Sequence, residues 1–346
     1  MIRTPSLFLC ALVLSLAVPA AAVAQPYVAQ QYIVTQAPEI VPSPPRTILV
    51  DPGNAGVVAQ FSPGDSPEYL VAENDWPSGW YVALGVGLVK PHINSGITSG
   101  APVSAALPTA MHLPIAPLDW TALPDVKIGY RFAGGQDELR VRYQGLFSQG
   151  RQFFADFDAW GSGVVHSRLD FNMIDVDYVS REFINWAMGP APARFLDILF
   201  GLRTGNIFFD SNGFGNQVIW QGMRNNFVGI GPHVGVDYSR SLFGPRCGVY
   251  LLVDAAGLIG SLRQDFVDVR FLDNGSIAGG RLRRSDCIGV GNLQLEPGIR
   301  VLPLADPRFR VSIGYTWQRW WYVGDTFDSN ADVTIQGIMF RGEFTF

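Results

Sequence analysis

The chain has 346 residues, a net charge of −5, 16 % charged residues, 12 % aromatic residues and 38 glycines. That charge argues against a general nucleic-acid binder, and the charged fraction is below the ~25 % of average soluble proteins. The chain is mildly apolar, but no single apolar block accounts for it.

In chain order, Arg3, the apolar run Leu7 to Val18 and the small-residue site Ala22-Val23-Ala24 form a secretory signal, predicted to be cleaved after residue 24. The run is too short to cross a bilayer as a helix. Cys10 lies inside it, after Leu9 rather than a small residue, which argues against a lipoprotein. Residues 25–75 are rich in Pro, Gln, Ala and Val, with Pro42-Ser43-Pro44-Pro45 and Ser62-Pro63-Gly64-Asp65 as breakers. No period of 2 or 3.6 persists there, so this stretch is predicted to be an extended periplasmic linker.

From Trp76 to Phe346 the chain alternates apolar with polar or small residues, the strand period. Trp80, Val82, Leu84, Val86 and Leu88 share one face of a first strand. Val126, Ile128, Tyr130 and Phe132 oppose Lys127 and Arg131 on the second. Leu139, Val141, Tyr143 and Phe147 oppose Arg140 and Arg142 on the third. Between Leu169-Phe171-Met173 and Ile174-Val176-Tyr178 the phase slips, which predicts a β-bulge. Six further strands follow, around residues 196–203, 228–237, 249–259, 293–301, 309–318 and 338–346. Tight connections at Gly134–Asp137, Ser241–Arg246 and Leu302–Pro307, with a moderate one at Arg181–Ala193, interleave with longer ones at 90–121, 150–164, 205–225, 262–286 and 322–331. Short periplasmic turns alternating with longer outer loops are the signature of a bacterial outer-membrane barrel. The fold class is therefore all-β: a transmembrane antiparallel up-and-down β-barrel of about 10 strands with both termini in the periplasm. Residues 266–283, with Asn274-Gly275 as a type I′ turn signal, leave two alternatives: a strand pair making 12, or a tall outer hairpin.

Alternation alone also fits a soluble barrel. Three features favour lipid. The apolar faces are nearly free of charge, as a bilayer midplane demands at about 2–4 kcal/mol per Arg or Lys. The exception, Arg319, lies at the outer end of its strand, within reach of lipid headgroups. Aromatics gather where strands should cross the interfaces, notably Trp317, Trp320, Trp321 and Tyr322 on the outer side. The sequence also ends in a strand on Phe344 and Phe346, an arrangement similar to the C-terminal signal read by the barrel-assembly machinery. Pro232 and Pro297 oppose this reading, because a closed barrel has no edge to hide a missing N–H. Bulges are expected there. Cys247 and Cys287 fall toward opposite ends and are predicted to stay free thiols.

Asn225-Asn226-Phe227-Val228-Gly229-Ile230-Gly231-Pro232-His233-Val234-Gly235-Val236-Asp237 resembles a segment of the Legionella-type pore-forming major outer-membrane protein family, abundant in planctomycetes. Asp175-Val176-Asp177-Tyr178, Phe200-Gly201-Leu202-Arg203 and Val253-Asp254-Ala255-Ala256-Gly257-Leu258-Ile259-Gly260 are similar too. The resemblance covers roughly 165–300 and implies an outer-membrane barrel with a pore. It carries over no binding residue.

No catalytic or metal set is visible. His92 and His112 fall in the first long loop, His166 begins a strand, and His233 shares the inward face with Asp237. A hydrolase needs a nucleophile or water, a base and an orienting group at one rim. No enzyme activity, metal or cofactor is expected. The inward charges are the pore-lining candidates: Lys127, Arg131, Arg140, Arg142, Asp197, Arg203, Asp237, Glu296, Arg300 and Arg310, with Asp254, Arg341 and Glu343 beside them. Ten strands lie just above the size that side chains fill, well below open porins. The charges therefore read either as a self-neutralising network or as the wall of a narrow path for small solutes. A non-conducting structural or adhesion barrel acting through its outer loops is the alternative function. The expected partners are outer-membrane lipid or lipopolysaccharide, the barrel-assembly machinery and a second copy of the chain.

Overall fold

A computed structural model of the chain describes residues 78–97, 115–132, 137–155, 162–180, 194–216, 218–242, 247–271, 275–301, 308–324 and 329–346. The strands are β1 (Gly79–Ile97), β2 (Thr121–Arg131), β3 (Asp137–Phe154), β4 (Gly163–Ser180), β5 (Arg194–Gly215), β6 (Val218–Ser241), β7 (Cys247–Phe271), β8 (Ile277–Val301), β9 (Phe309–Trp321) and β10 (Ser329–Thr345). They pair antiparallel in sequence order and close into a barrel, β10 returning to β1 from Tyr81↔Thr345 to Ile97↔Ser329. The predicted signal and linker lie outside the described residues. The end where β1 begins and β10 stops is called the near end below, and the opposite one the far end.

Successive side chains of a strand point to opposite faces. In the near half the described outward residues between the strand tips carry no charge. Leu84, Val86 and Leu88 on β1, Ile313 and Tyr315 on β9, and Ile338 and Phe340 on β10 are all exposed there. The inward residues of the same strands are polar or small, among them Arg341 and Glu343 on β10 and Ser312 and Thr316 on β9. The near half is thus inverted relative to a soluble protein.

β4 shows where the inversion ends. Ile174, Val176 and Tyr178 point outward and Asp175 and Asp177 inward. Further toward the far end Leu169, Phe171 and Met173 point inward, and His166 and Asn172 are exposed outside. The predicted bulge is absent, because β4 pairs with β3 and β5 without a shift in register. The strand keeps its period of two while its surroundings change sides. The same exchange occurs outward on β6, from Ile230 and Val228 to Asn226 and Arg224, and on β7, from Ile259 to Ser261 and Arg263.

This exchange corrects the predicted loops. Residues 150–154, 205–215, 218–225, 262–271 and 277–286 are strand, since β3–β4, β5–β6 and β7–β8 continue well past the exchange level. β5 to β8 run for 22–25 residues, against 11 in β2 and 13 in β9. A tilted strand crosses hydrocarbon in about 9–11 residues, so the long strands extend beyond what a bilayer needs. Of the two alternatives for 266–283, the tall hairpin is present: β7 and β8 pair to Phe271↔Ile277, with Gly275 at φ 77°. Asn274 lies outside the described residues. His92 is on β1 rather than in a loop, and His112 lies outside the described residues.

No bulge accompanies the prolines either. Pro232 stays paired with Leu202 of β5, while the β6–β7 ladder skips Gly231 and Pro232 and resumes at His233↔Ala256 in the same register. Pro297 stays paired with Leu251 of β7, and the β8–β9 ladder skips Glu296 and Pro297. Each missing N–H falls in a two-residue gap in one ladder. The one register shift among the described residues, between Val218 and Trp220, is at the far tip of β6.

The interior of the far half is an apolar core. Val89, Leu146, Leu169, Phe171, Ile207, Phe209, Phe227, Leu262 and Trp320 meet there, all buried. Residues 115–120 join it. Ala116 and Leu118 are buried, the Ala116 N–H donates to Ser167 Oγ (2.9 Å), and the Asp119 N–H donates to the Gln149 carbonyl (2.8 Å). Gly150 is required beside them, since a Cβ there would come within 2.0 Å of the Pro117 carbonyl oxygen. The C-terminal part of the predicted first loop therefore folds inward, while 98–114 lie outside the described residues.

Candidate functional site

Ion pairs fill much of the near half, because the inward positions of its strands carry mostly charged, polar or small residues. Asp125 of β2 accepts from Arg142 of β3 (2.9 and 3.2 Å) and from Arg341 of β10 (2.6 Å). Arg341 also donates to Glu296 of β8 (2.9 Å), which accepts from the Tyr250 hydroxyl at 2.8 Å. Nearer the rim Arg131 donates to Glu343 (2.6 Å), Glu138 (3.1 Å) and Thr345 Oγ1 (3.0 Å), and lies 4.2 Å from the centre of the Tyr81 ring. The Tyr81 hydroxyl donates to Glu138.

On the opposite wall a chain of charges alternates in sign. Arg140 donates to Asp177 (2.6 Å), and His233 Nε2 lies 2.6 Å from Asp177 Oδ1. His233 Nδ1 lies 3.0 Å from Asp254 Oδ2, and Asp254 Oδ1 lies 2.8 Å from Arg203. Arg203 then forms a fork onto Asp175 (2.7 and 2.9 Å) and donates to Asn292 Oδ1. Except for Arg140, which is 13 % exposed, these charged side chains are at most 3 % exposed. Burial at this level costs several kcal/mol per ion unless each is paired. The inward charges of the near half are Asp125, Glu138, Asp175, Asp177, Asp197, Asp237, Asp254, Glu296 and Glu343 against Lys127, Arg131, Arg140, Arg142, Arg203, Arg300, Arg310 and Arg341. Among the described residues these carboxylates exceed Lys and Arg by one, and His233 lies between two of them.

All ten predicted inward residues face the interior. Lys127, Arg131, Arg140, Asp197, Asp237, Arg300 and Arg310 surround a near-end cavity of about 60 Å³. Arg142, Arg203 and Glu296 lie in the buried pairs described above. Arg300 holds Asp237 at 3.1 Å and lies 4.9 Å from the Tyr250 ring centre. His233 and Asp237 share the inward face of β6, but the ring turns to Asp177 and Asp254, on β4 and β7. Sequence reasoning missed Asp175, Asp177, Glu138 and Tyr81. Carrying strict alternation through β4 would have placed the two aspartates inside.

The outer aromatics need one correction. Trp317 and Trp321 point outward and Tyr322 is half exposed, with φ 66°. Trp320 points inward, fully buried, with its ring 5.6 Å from that of Phe171. Alternation dictates this, because outward Trp317 and Trp321 leave 320 on the inner face. Arg319, expected to reach headgroups, pairs with Asp332 at 2.8 Å. Phe344 and Phe346 point outward with ring centres 5.2 Å apart, and the Phe346 N–H donates to the Trp80 carbonyl at 2.9 Å. Cys247 and Cys287 are free thiols.

Both nitrogens of His233 face carboxylates, and its side chain is not exposed. The ring is thereby enclosed between β4 and β7 carboxylates and closed off from solvent. Among the described residues no group of three His, Cys, Asp or Glu is placed to hold a metal ion.

The class these features define is a closed ten-stranded antiparallel barrel with an apolar outer belt, an ionic near-half interior and an apolar far-half core. No family model and no curated protein matches the chain. Solved structures similar to it include the outer membrane protease OmpT from Escherichia coli, at 11 % identity and TM-score 0.45, covering 81 % of this chain and all of that one. The Pseudomonas putida toluene transporter TodX matches at 8 % identity and TM-score 0.22, covering 78 % of this chain and 90 % of that one. Ail, the attachment invasion locus protein of Yersinia pestis, matches at 10 % identity and TM-score 0.20, covering 77 % and 99 %. At such values these likenesses say nothing about what this barrel does.

Proposed function

We propose that the chain is an outer-membrane β-barrel whose interior is closed to solutes and which acts through the surface its far end presents outside the cell. The observation that carries this reading is the far-half core. Val165, Leu169, Phe171, Ile207, Met223 and Phe227 fill the barrel at 0 % exposure, together with the inward segment at Ala116 and Leu118. A water path needs an open polar lining; this layer is mainly apolar, and the polar side chains within it, among them Ser167, Ser211 and Asn225, are buried in the packing. The charge-free outward belt supports immersion of the near half in lipid. The near end is then periplasmic, consistent with the signal and linker read from the sequence.

The second reading is a narrow pore, favoured by the polar near-half interior and its cavity and by the family resemblance. It requires the far-half core to move aside. Membrane fractionation with heat-modifiable gel mobility, followed by uptake of small sugars into vesicles carrying the purified chain, tests the proposal. Outer-membrane recovery without uptake is expected. A soluble chain would overturn the location, and rapid uptake the closed interior.

A further inference from the structure

We propose that the outward face of β6–β8 just above the apolar belt, at Arg224, Arg263 and Arg283, binds the phosphate-bearing headgroup of a lipid whose acyl chains lie on the belt beneath. This rests on the outer-membrane reading above.

Strand register brings the three arginines together. Arg224 is paired across with Asp265, and Asn226 with Arg263, so Arg224 and Arg263 are diagonal neighbours on β6 and β7. Asp265 is paired in turn with Arg283, and Arg263 with Ser285, which makes Arg263 and Arg283 diagonal neighbours on β7 and β8. Diagonal neighbours of a sheet lie about 7–8 Å apart, within reach of long side chains. All three point outward and are exposed, Arg283 at 69 % of its side chain. Arg224 and Arg263 have no carboxylate within ion-pair distance among the described residues. Asp265, a carboxylate in their midst, is engaged by Arg281 and lies 3.5 Å from Arg283, and Asp210 of β5, paired across with Arg224, places a second carboxylate at the edge of the patch. With Arg281, four arginines face two carboxylates here, so this patch of wall carries an excess of positive charge on a chain whose net charge is −5.

Its height selects the partner. On the same strands, Val228 and Ile230 of β6 and Ile259 of β7 follow directly below, each more than half exposed. Val228 is paired with Ser261, and Ile230 with Ile259, so cations pass to apolar surface within three rows of the sheet. A free anion would use only the upper part of this surface, whereas a phosphorylated amphiphile uses both. Arginine forks suit phosphate oxygens. Arg319, which the sequence marked for headgroups, is occupied by Asp332 instead.

The test uses the full chain in neutral detergent, with native mass spectrometry to count bound lipid. The probes are bisphosphorylated lipid A, its fully dephosphorylated form, and inorganic phosphate as competitor. Each basic residue near an anionic surface contributes about 1 kcal/mol, so three give roughly a hundredfold preference for the phosphorylated lipid, and at least tenfold is expected after partial compensation by Asp265. The Arg224→Gln/Arg263→Gln/Arg283→Gln variant should lose that preference, and the single Arg224→Gln and Arg263→Gln variants part of it. Arg240→Gln, outward at the near end, should keep it. Equal binding of both lipids, an undiminished preference in the triple variant, or displacement of the lipid by millimolar inorganic phosphate would overturn the proposal. Heat-modifiable mobility and membrane fractionation of the same preparations separate the two readings. A membrane-embedded wild type without preference sinks this site alone, whereas a wild type outside the membrane sinks both.

Discussion

Arg203→Met isolates what the buried ion pairs contribute. Arg203 is 0 % exposed and lies between Asp175, at 2.7 and 2.9 Å, and Asp254, at 2.8 Å. Met keeps much of the side-chain volume and removes the charge. Two carboxylates, both almost fully buried, then lose their shared cation. Breaking a buried pair by removing one partner costs about 3–5 kcal/mol, because the remaining charge has neither water nor a counter-ion. Asp254 keeps His233 at 3.0 Å, whereas Asp175 has no other cation within ion-pair distance among the described residues. The cost should therefore lie mainly at Asp175, and Arg203→Met/Asp175→Asn should recover at least half of it. Urea unfolding of the detergent-solubilised barrel, followed by tryptophan fluorescence and by gel mobility, measures both variants. Destabilisation of less than about 1 kcal/mol in the single variant, or no recovery in the double, would refute this account of the interior.

Other expectations follow from the same geometry. Trp320→Ala empties a fully buried site between the apolar core and the ion pairs, and should cost about 3–5 kcal/mol in the same unfolding assay. Gly231→Val should assemble poorly, because a Cβ at 231 would come within 1.9 Å of the Gly257 carbonyl oxygen; normal yields of heat-modifiable barrel would argue against so tight a β6–β7 approach. Cys287, exposed and paired across with Ser261 above the belt, should react with a membrane-impermeant maleimide on intact cells, and Cys247 at the near end should not. Reversed labelling would invert the proposed orientation. Deleting Phe346 removes its hydrogen bond to Trp80 beside the β1–β10 closure, and should lower the amount of assembled barrel recovered from membranes.

The strand count, the closure and the inward face of most strands were legible because alternation is a local signal and each strand repeats it. Leu84 and Val86 on one face, or Arg140 and Arg142 on the other, declare their sides without reference to neighbours. The far half was not legible by the same rule. There Leu169, Phe171 and Met173 continue an apolar alternation on the inner face, and a reading that equates apolar with outward sees a bulge or a loop. The pattern is the same, and only the medium outside differs, which is a property of height in the barrel rather than of any short segment. Partner choice was also out of reach. Nothing near His233 in the sequence points to Asp177, 56 positions away. That contact comes from β4 and β6 facing each other across the inward side of β5.

In the proposed reading the packed far-half core closes the barrel. Single-channel recording of the purified full chain in planar bilayers tests it most directly. Insertion shown by heat-modifiable protein in the recovered membrane, with no discrete conductance steps, is the result expected. Stable, repeated open steps from the wild-type chain would contradict it.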